Sequence, residues 1–295
     1  MRFYTYLIHG REEACVSFNG GKTIYTLDSL DIEVRDLQEM IQKYAKIRPL
    51  LEQVSRGRTD VSPIDLKTST LLAPIVHPQK DVLCLGINYT EHAIEAGSYS
   101  RQAFGMERPA TIYFSKRVYR ASGSGEAIPA YTGYVDSLDY ESELGVVIGR
   151  DIRGIRQEEA MDAVFGYTVM NDVSARNLQT RHQQWLLGKS LDGFLPMGPC
   201  IVTPEELGDP THLMIRSYVN GELRQNSNTS LMLQTIAGAI AELSAGMTLQ
   251  AGTLIATGTP AGVGMGMKPP TFLKPGDEVT CEIEGIGRIS NPVRE

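Results

Sequence analysis

The stretch Asp139-Tyr140-Glu141-Ser142-Glu143-Leu144-Gly145-Val146-Val147-Ile148 passes from alternating carboxylates to an apolar run. A strand alternates faces with a period of two, so Asp139, Glu141 and Glu143 are predicted to share one face. The run after them has the look of a buried strand. Three carboxylates on one face repel one another, so either water bathes that face or protons or a cation offset the charge. The plain alternative is a solvated edge strand whose charges discourage aggregation. Hard dications such as Mg²⁺ and Mn²⁺ prefer carboxylate oxygens, and two Glu on one face supply two ligands on one side of an octahedron. A third ligand must come from another element. Asp172 follows the apolar run 163–170 and is predicted to end a buried strand, where an acid needs a partner. Its alternative role is to cap the turn that follows.

Outward from this stretch the chain reads as β-rich. Segments 81–87, 110–115, 143–149, 163–171, 213–219, 253–258 and 278–285 are short, apolar or β-branched, and bounded by Gly, Pro or Asn. Asn220-Gly221 marks a type I′ hairpin. One helix is predicted from Ser230 as N-cap, through Leu233, Ile236, Ile240 and Leu243, to Gly246. In the N-terminal part Asn19-Gly20-Gly21 separates two strand-like runs. Leu37, Met40, Ile41 and Tyr44 recur at helical spacing until Pro49 interrupts them. Periodicity fades between Gly57 and Pro78. This predicts a small N-terminal α+β domain over 1–70 and a larger domain over 71–295. So few helices among so many strands argue against a doubly wound or TIM fold and favour an α+β, mostly β, mixed sandwich or roll.

Bulk properties narrow the function classes. Of the 295 residues, 42% are hydrophobic and 21% charged, with a net charge of −7 and no basic stripe. Nucleic acid is therefore a poor partner. The four cysteines form no CxxC pair, which argues against structural zinc and a disulfide framework. No run approaches the ~18 apolar residues of a membrane span. The N-terminus lacks the apolar core and cleavage site of a signal peptide. A cytoplasmic protein without membrane partners is the expectation.

Five motifs then occur in order: NYTEHAIEAG (88–97), LDYESELGVVIG (138–149), MNDVSARNLQ (170–179), GKSLDGFLPMGP (188–199) and IATGTPAGVG (255–264). Together they strongly resemble the fumarylacetoacetate hydrolase family, in its bacterial acylpyruvate hydrolase and oxaloacetate decarboxylase branch, over roughly 70–295. The resemblance implies a mixed β-sandwich roll, a homodimer, and Mg²⁺ or Mn²⁺ held by a Glu-x-Glu pair and a later Asp. Those positions match Glu141, Glu143 and Asp172.

It also gives the remaining motifs a role. His92 and Glu95 lie three apart, on one face of a helical turn, where a carboxylate raises the basicity of an imidazole. Taken alone the pair is more often an incidental surface feature; the resemblance makes it the base on a lid. Lys189 matches a lysine that holds a substrate carboxylate or a developing enolate, where spacing alone reads as a surface lysine. Thr259 matches a substrate-contacting threonine. It lies with Gly258 in a Gly-rich loop whose backbone N–H groups suit a carboxylate, although Gly258 also reads as a plain turn. Arg176 and Gln179 match a substrate-facing segment, with Asn177 where the family has Asp. Lys116 follows a strand in a partial match and carries little weight. Arg181, His182 and Trp185 either shape substrate choice or pack.

The reaction so implied acts on a small 2-oxo acid. In acylpyruvate hydrolysis giving pyruvate, His92 with Glu95 activates water, the C3–C4 bond breaks, and Lys189 helps hold the pyruvate enolate. Oxaloacetate decarboxylation and isomerisation of a 2-hydroxyhepta-2,4-diene-1,7-dioate use the same kind of enolate. The rival from another class is a metal-stabilised binding module, which explains the acids but leaves His92, Lys189 and the Gly-rich loop without a shared purpose.

Overall fold

The computed structural model of the chain describes residues 1–57, 61–100 and 110–295. In chain order its strands are β1 (Arg2–Ile8), β2 (Arg11–Ser17), β3 (Tyr25–Thr26), β4 (Thr70–Leu71), β5 (Val82–Gly86), β6 (Ile112–Lys116), β7 (Ile128–Pro129), β8 (Leu138–Asp139) and β9 (Ser142–Ile148). There follow β10 (Val164–Asn171), β11 (Ser174–Ala175), β12 (Met197–Val202), β13 (Met214–Val219), β14 (Glu222–Asn228), β15 (Leu254–Ala256), β16 (Glu278–Ile283) and β17 (Gly287–Arg294). The larger sheet has the order β3-β2-β1-β12-β10-β9-β15-β5-β6, with β4 also on β1; the smaller has the order β14-β13-β16-β17-β7. The result is a mixed, mostly β, α+β roll.

Burial follows the two-residue period. Leu144, Val146 and Ile148 of β9 join a core with Ile215, Val279, Ile283 and Ile289 of the smaller sheet and with Ile240 and Leu243 of the Ile236–Gly246 helix. Val147 points the other way, into a core with Phe3, Leu37, Met40, Ile41 and Leu51. Every residue of β9 and β10 is buried, because one face meets the second sheet and the other meets the N-terminal helices. Gly145 lets the Met170 side chain lie close, since a Cβ there would come within 2.7 Å of it and the methionine would have to shift. The first seventy residues add β1 to β4 to one edge of the larger sheet, with Arg2 opposite Val202 and Phe3 opposite Ile201.

Two local expectations are corrected and one turn was missed. The C-terminal helix begins at Ile236, with Thr235 and not Ser230 as its cap: the Thr235 side chain accepts from Gly238 N at 3.0 Å. Residues 233–234 are drawn into bonds with Asn88 instead, through Leu233 N to Asn88 O at 2.8 Å and Gln234 N to Asn88 Oδ1 at 2.7 Å. Pro49 does not interrupt its helix, which runs from Tyr44 to Gly57. It lies on the exposed face, where the carbonyl left without an N–H donor is open to solvent. The tight turn between β1 and β2 falls at His9-Gly10, both with positive φ (50° and 78°), a pair the sequence reading passed over. The hairpins at Asn19-Gly20-Gly21 and Asn220-Gly221 form as read. The four cysteines are free and buried, and among the described residues no helix is long and apolar enough to cross a membrane.

Candidate active site

The acidic stretch is not one continuous strand. Between β8 and β9 the backbone is taken over by side chains and a loop: Asn171 Oδ1 accepts Glu141 N at 3.0 Å, Gln225 Oε1 accepts Ser142 N at 3.0 Å, and Asp172 N donates to Glu141 O at 2.9 Å. The break separates the three acids. Glu141 and Glu143 meet Asp172, with ligand oxygens all within 4.8 Å of one another and all three residues buried. Asp139 instead pairs with Arg176 at 2.9 Å, so the expectation that it shares a face with Glu141 and Glu143 is corrected, while the three acids that meet are Glu141, Glu143 and Asp172, the set named from the sequence.

Cations enter the same cluster. Lys189 Nζ donates to Glu141 Oε2 at 2.6 Å and Asp172 Oδ2 at 2.7 Å. Lys116 Nζ makes a short contact to Asp172 Oδ1 and donates to Val173 O at 3.0 Å. Arg176 bridges Asp139 and Glu141, the latter at 2.7 Å, and donates to Gln179 Oε1 at 3.0 Å. Burial lowers the Lys116 ammonium, partly opposed by Asp172. Burial opposes the charged forms of Lys189, Arg176 and Glu141 as well. Their partners outweigh it, so both cations titrate above and Glu141 below the ordinary range. Glu143 differs. Burial and the charges of Asp172 and Glu141 hold its carboxyl well above the usual range, and it accepts Gly258 N at 2.7 Å.

Asp139, Glu141, Glu143 and Asp172 thus face Lys116, Arg176 and Lys189, a formal balance of −1. The uncompensated carboxyl is Glu143, which calls for a proton or a cation. Three buried hard-oxygen donors fit a dication, which would turn the local balance to +1 and draw an anionic substrate.

The other predicted residues surround this cluster. His92 (3% exposed) and Thr259 line, with Glu141, Glu143, Arg176, Gln179, Trp185 and Lys189, a cavity of about 10 Å³, room for about one water. His92 Nδ1 lies 3.6 Å from Glu95 Oε2, longer than a hydrogen bond. Glu95 in turn accepts Gly262 N at 2.9 and 3.1 Å. The Thr259 hydroxyl donates to Ser142 O at 2.9 Å and accepts from Gln225 Nε2 at 2.7 Å. Gly258 adopts φ +92° with its N–H on Glu143. Lys116 and Gln225 were missed or undervalued from sequence. Lys116 ends an apolar strand, the very signal that singled out Asp172. Gln225 alternates with polar residues on an edge strand and gives no such signal.

A buried acidic trio flanked by lysines on a β-roll is a donor set that could hold a metal ion. The chain belongs to the fumarylacetoacetate (FAA) hydrolase family of enzymes, whose C-terminal domain matches residues 81–294. Oxaloacetate tautomerase YisK of Bacillus subtilis (strain 168) is 46% identical over 251 residues, covering 84% of this chain and 82% of that protein. The solved fumarylacetoacetate hydrolase of psychrophilic Exiguobacterium antarcticum is 37% identical with a TM-score of 0.79, covering 100% of this chain and 99% of that one. Maleylpyruvate hydrolase from Sphingobium sp. SYK-6, solved with manganese(II) and pyruvate, is 28% identical with a TM-score of 0.78, at 100% and 99% coverage.

Proposed function

We propose that this chain is a Mg²⁺- or Mn²⁺-dependent enzyme that enolises a small 2-oxo acid, with oxaloacetate as the first substrate to test. The observation that carries this reading is the convergence of Glu141, Glu143 and Asp172 with Lys189 in one buried cluster. Glu141, Glu143 and Asp172 would hold a dication, which would supply Lewis acidity for the 2-oxo group. Lys189 spends two of its three N–H donors on Glu141 and Asp172, which leaves one for a substrate oxygen. His92, buried and facing the acids, takes a proton from C3. The C–H electron pair becomes the C2=C3 bond, negative charge moves to the 2-oxo oxygen, and Lys189 stabilises it there. Returning the proton to oxygen gives the enol, and returning it to carbon regenerates the keto acid. Glu95, 3.6 Å from the imidazole, is the acid placed to orient it once the two draw together. The similarity to an oxaloacetate tautomerase supports this choice within the family.

Hydrolysis of a 3-acylpyruvate is the second reading. The His92–Glu95 pair favours it, because the same base would activate water to attack the distal carbonyl, and the likeness to a maleylpyruvate hydrolase supports it. Loss of CO₂ from oxaloacetate would use the same enolate without water attack. One experiment separates these outcomes. Purified protein with Mg²⁺, Mn²⁺ or a chelator is given oxaloacetate, with enol absorbance followed and pyruvate assayed, and acetylpyruvate, with pyruvate assayed. Metal-dependent enol–keto exchange without pyruvate supports tautomerisation. Pyruvate from acetylpyruvate moves the assignment to hydrolysis, and pyruvate from oxaloacetate to decarboxylation. Silence with every pair overturns the proposal in favour of a binding module or an isomerase of a 2-hydroxyhepta-2,4-diene-1,7-dioate.

A further inference from the structure

Asp139, the acid that the strand break turns away from the trio, is fully buried and lies outside the cavity lining. Its carboxylate accepts four N–H donors. Oδ1 takes Tyr140 N at 2.9 Å and Gly264 N at 2.7 Å; Oδ2 takes Met265 N at 3.1 Å and Arg176 Nε at 2.9 Å. Besides the neighbouring Tyr140 N, these donors lead in two directions, to Arg176 and to the loop that holds Gly264 and Met265. Arg176 continues to Glu141 at 2.7 Å and Gln179 at 3.0 Å. Gly264 and Met265 belong to the loop that seats the Thr90–Tyr99 helix, because Val263 and Met265 form a small core with Ala96, Ala93 and Tyr99. The same loop presents Gly262 N to both oxygens of Glu95. At Gly266 it leaves open the space that Glu95 fills, since a Cβ there would lie 2.4 Å from the Glu95 carboxyl carbon.

We propose that Asp139 is a positioning residue that fixes the two halves of the active site to one another. Through Arg176 it sets the Glu141 carboxylate, and through loop 262–266 it sets Glu95 and hence His92. A carboxylate alone suits this place, because all of its bonds are accepted ones. An Asn amide would turn two donor hydrogens toward Met265 N–H or the Arg176 guanidinium. Gly264 tests the link from the other side. A Cβ there would lie 2.7 Å from Asp139 Oδ1 and 2.3 Å from Thr271 O, parting loop from acid while leaving Asp139 and Arg176 intact.

The activity arm rests on the proposed function, whereas the exchange arm does not. Asp139→Asn and Gly264→Ala are made in the full chain, and amide hydrogen exchange is followed with and without Mn²⁺. Both variants should exchange the amides of the Thr90–Tyr99 helix about tenfold faster, with those of Val164–Asn171 unchanged. On whichever 2-oxo acid the wild type turns over, kcat should fall about 30-fold in each, with KM changed by no more than about threefold. Adding Glu95→Gln to either variant should lower kcat little further, because the two act through one pair. Wild-type exchange in folded variants, or kcat losses that multiply with Glu95→Gln, would overturn the proposal. If Asp139→Asn loses its near-ultraviolet dichroism, Gly264→Ala alone decides. If the wild type turns over no 2-oxo acid, the proposed function falls while the exchange result still judges the positioning role.

Discussion

Arg48 and Arg176 make the same arrangement in two different media. Arg48 lies between Glu52 at 2.8 Å and Glu205 at 3.3 Å, with its side chain 47% exposed. Arg176 lies between Asp139 at 2.9 Å and Glu141 at 2.7 Å, with its side chain 1% exposed. In water such a pair is worth ~0–1 kcal/mol, because solvent and salt screen it and two long side chains must be ordered. Inside, each ion gives up hydration worth several kcal/mol, and well-packed apolar residues of the same volume often do as well or better for stability. The outer cluster is therefore dispensable. The inner one, with four acids and three cations in the core, is a stability liability that makes sense as chemistry.

That contrast can be broken at several points. The largest effect is expected at Glu143, the carboxyl of the cluster with no ion pair among the described residues. Glu143→Ala should lower turnover about 1,000-fold, roughly 4 kcal/mol of barrier, at unchanged circular dichroism; a loss under tenfold would contradict a metal-binding role. Lys116→Met comes next. It leaves Asp172 buried without one of its two ammonium partners, which should cost about 3–5 kcal/mol of stability in the metal-free protein. Mn²⁺ binding to the folded form should recover part of the lost melting temperature. Equal metal-free melting temperatures for variant and wild type would show that the contact carries no weight. His92→Ala should reduce kcat by about 100-fold while leaving metal binding intact, as measured by turnover alongside Mn²⁺ titration. The smallest change belongs to the surface: Arg48→Ala should shift unfolding free energy by no more than about 0.5 kcal/mol in a denaturant titration. A shift of several kcal/mol there would erase the distinction between the two clusters.

The fold was legible where a single local rule governed. The apolar runs became β5, β6, β9, β10, β13, β15 and β16 because continuous β-branched segments have few other ways to be buried. The Asn-Gly turns were legible for the same reason: backbone with positive φ favours those residues. Boundaries were lost where long-range bonds override local signals. Ser230 is an acceptable cap, yet Asn88, far away in sequence, captures residues 233–234 and moves the helix start to Ile236. At the site, Glu141, Glu143 and Asp172 could be paired by the rule that buried acids need a partner. Applied evenly, the rule would have raised Lys116, which also ends an apolar strand. It could not have split Asp139 from its neighbours, because that break depends on Asn171 and Gln225 bonding the intervening backbone. Strand alternation describes a continuous strand and fails where side chains replace the ladder.

The account stands on the buried acid trio being a dication site, and Mn²⁺ binding by electron paramagnetic resonance tests it without any substrate. Chelator-stripped wild-type protein should take up one Mn²⁺ per chain, and Glu143→Gln should bind it at least about 30-fold more weakly, roughly 2 kcal/mol. Equal affinity in the two proteins, or no uptake by the folded wild type, would contradict it.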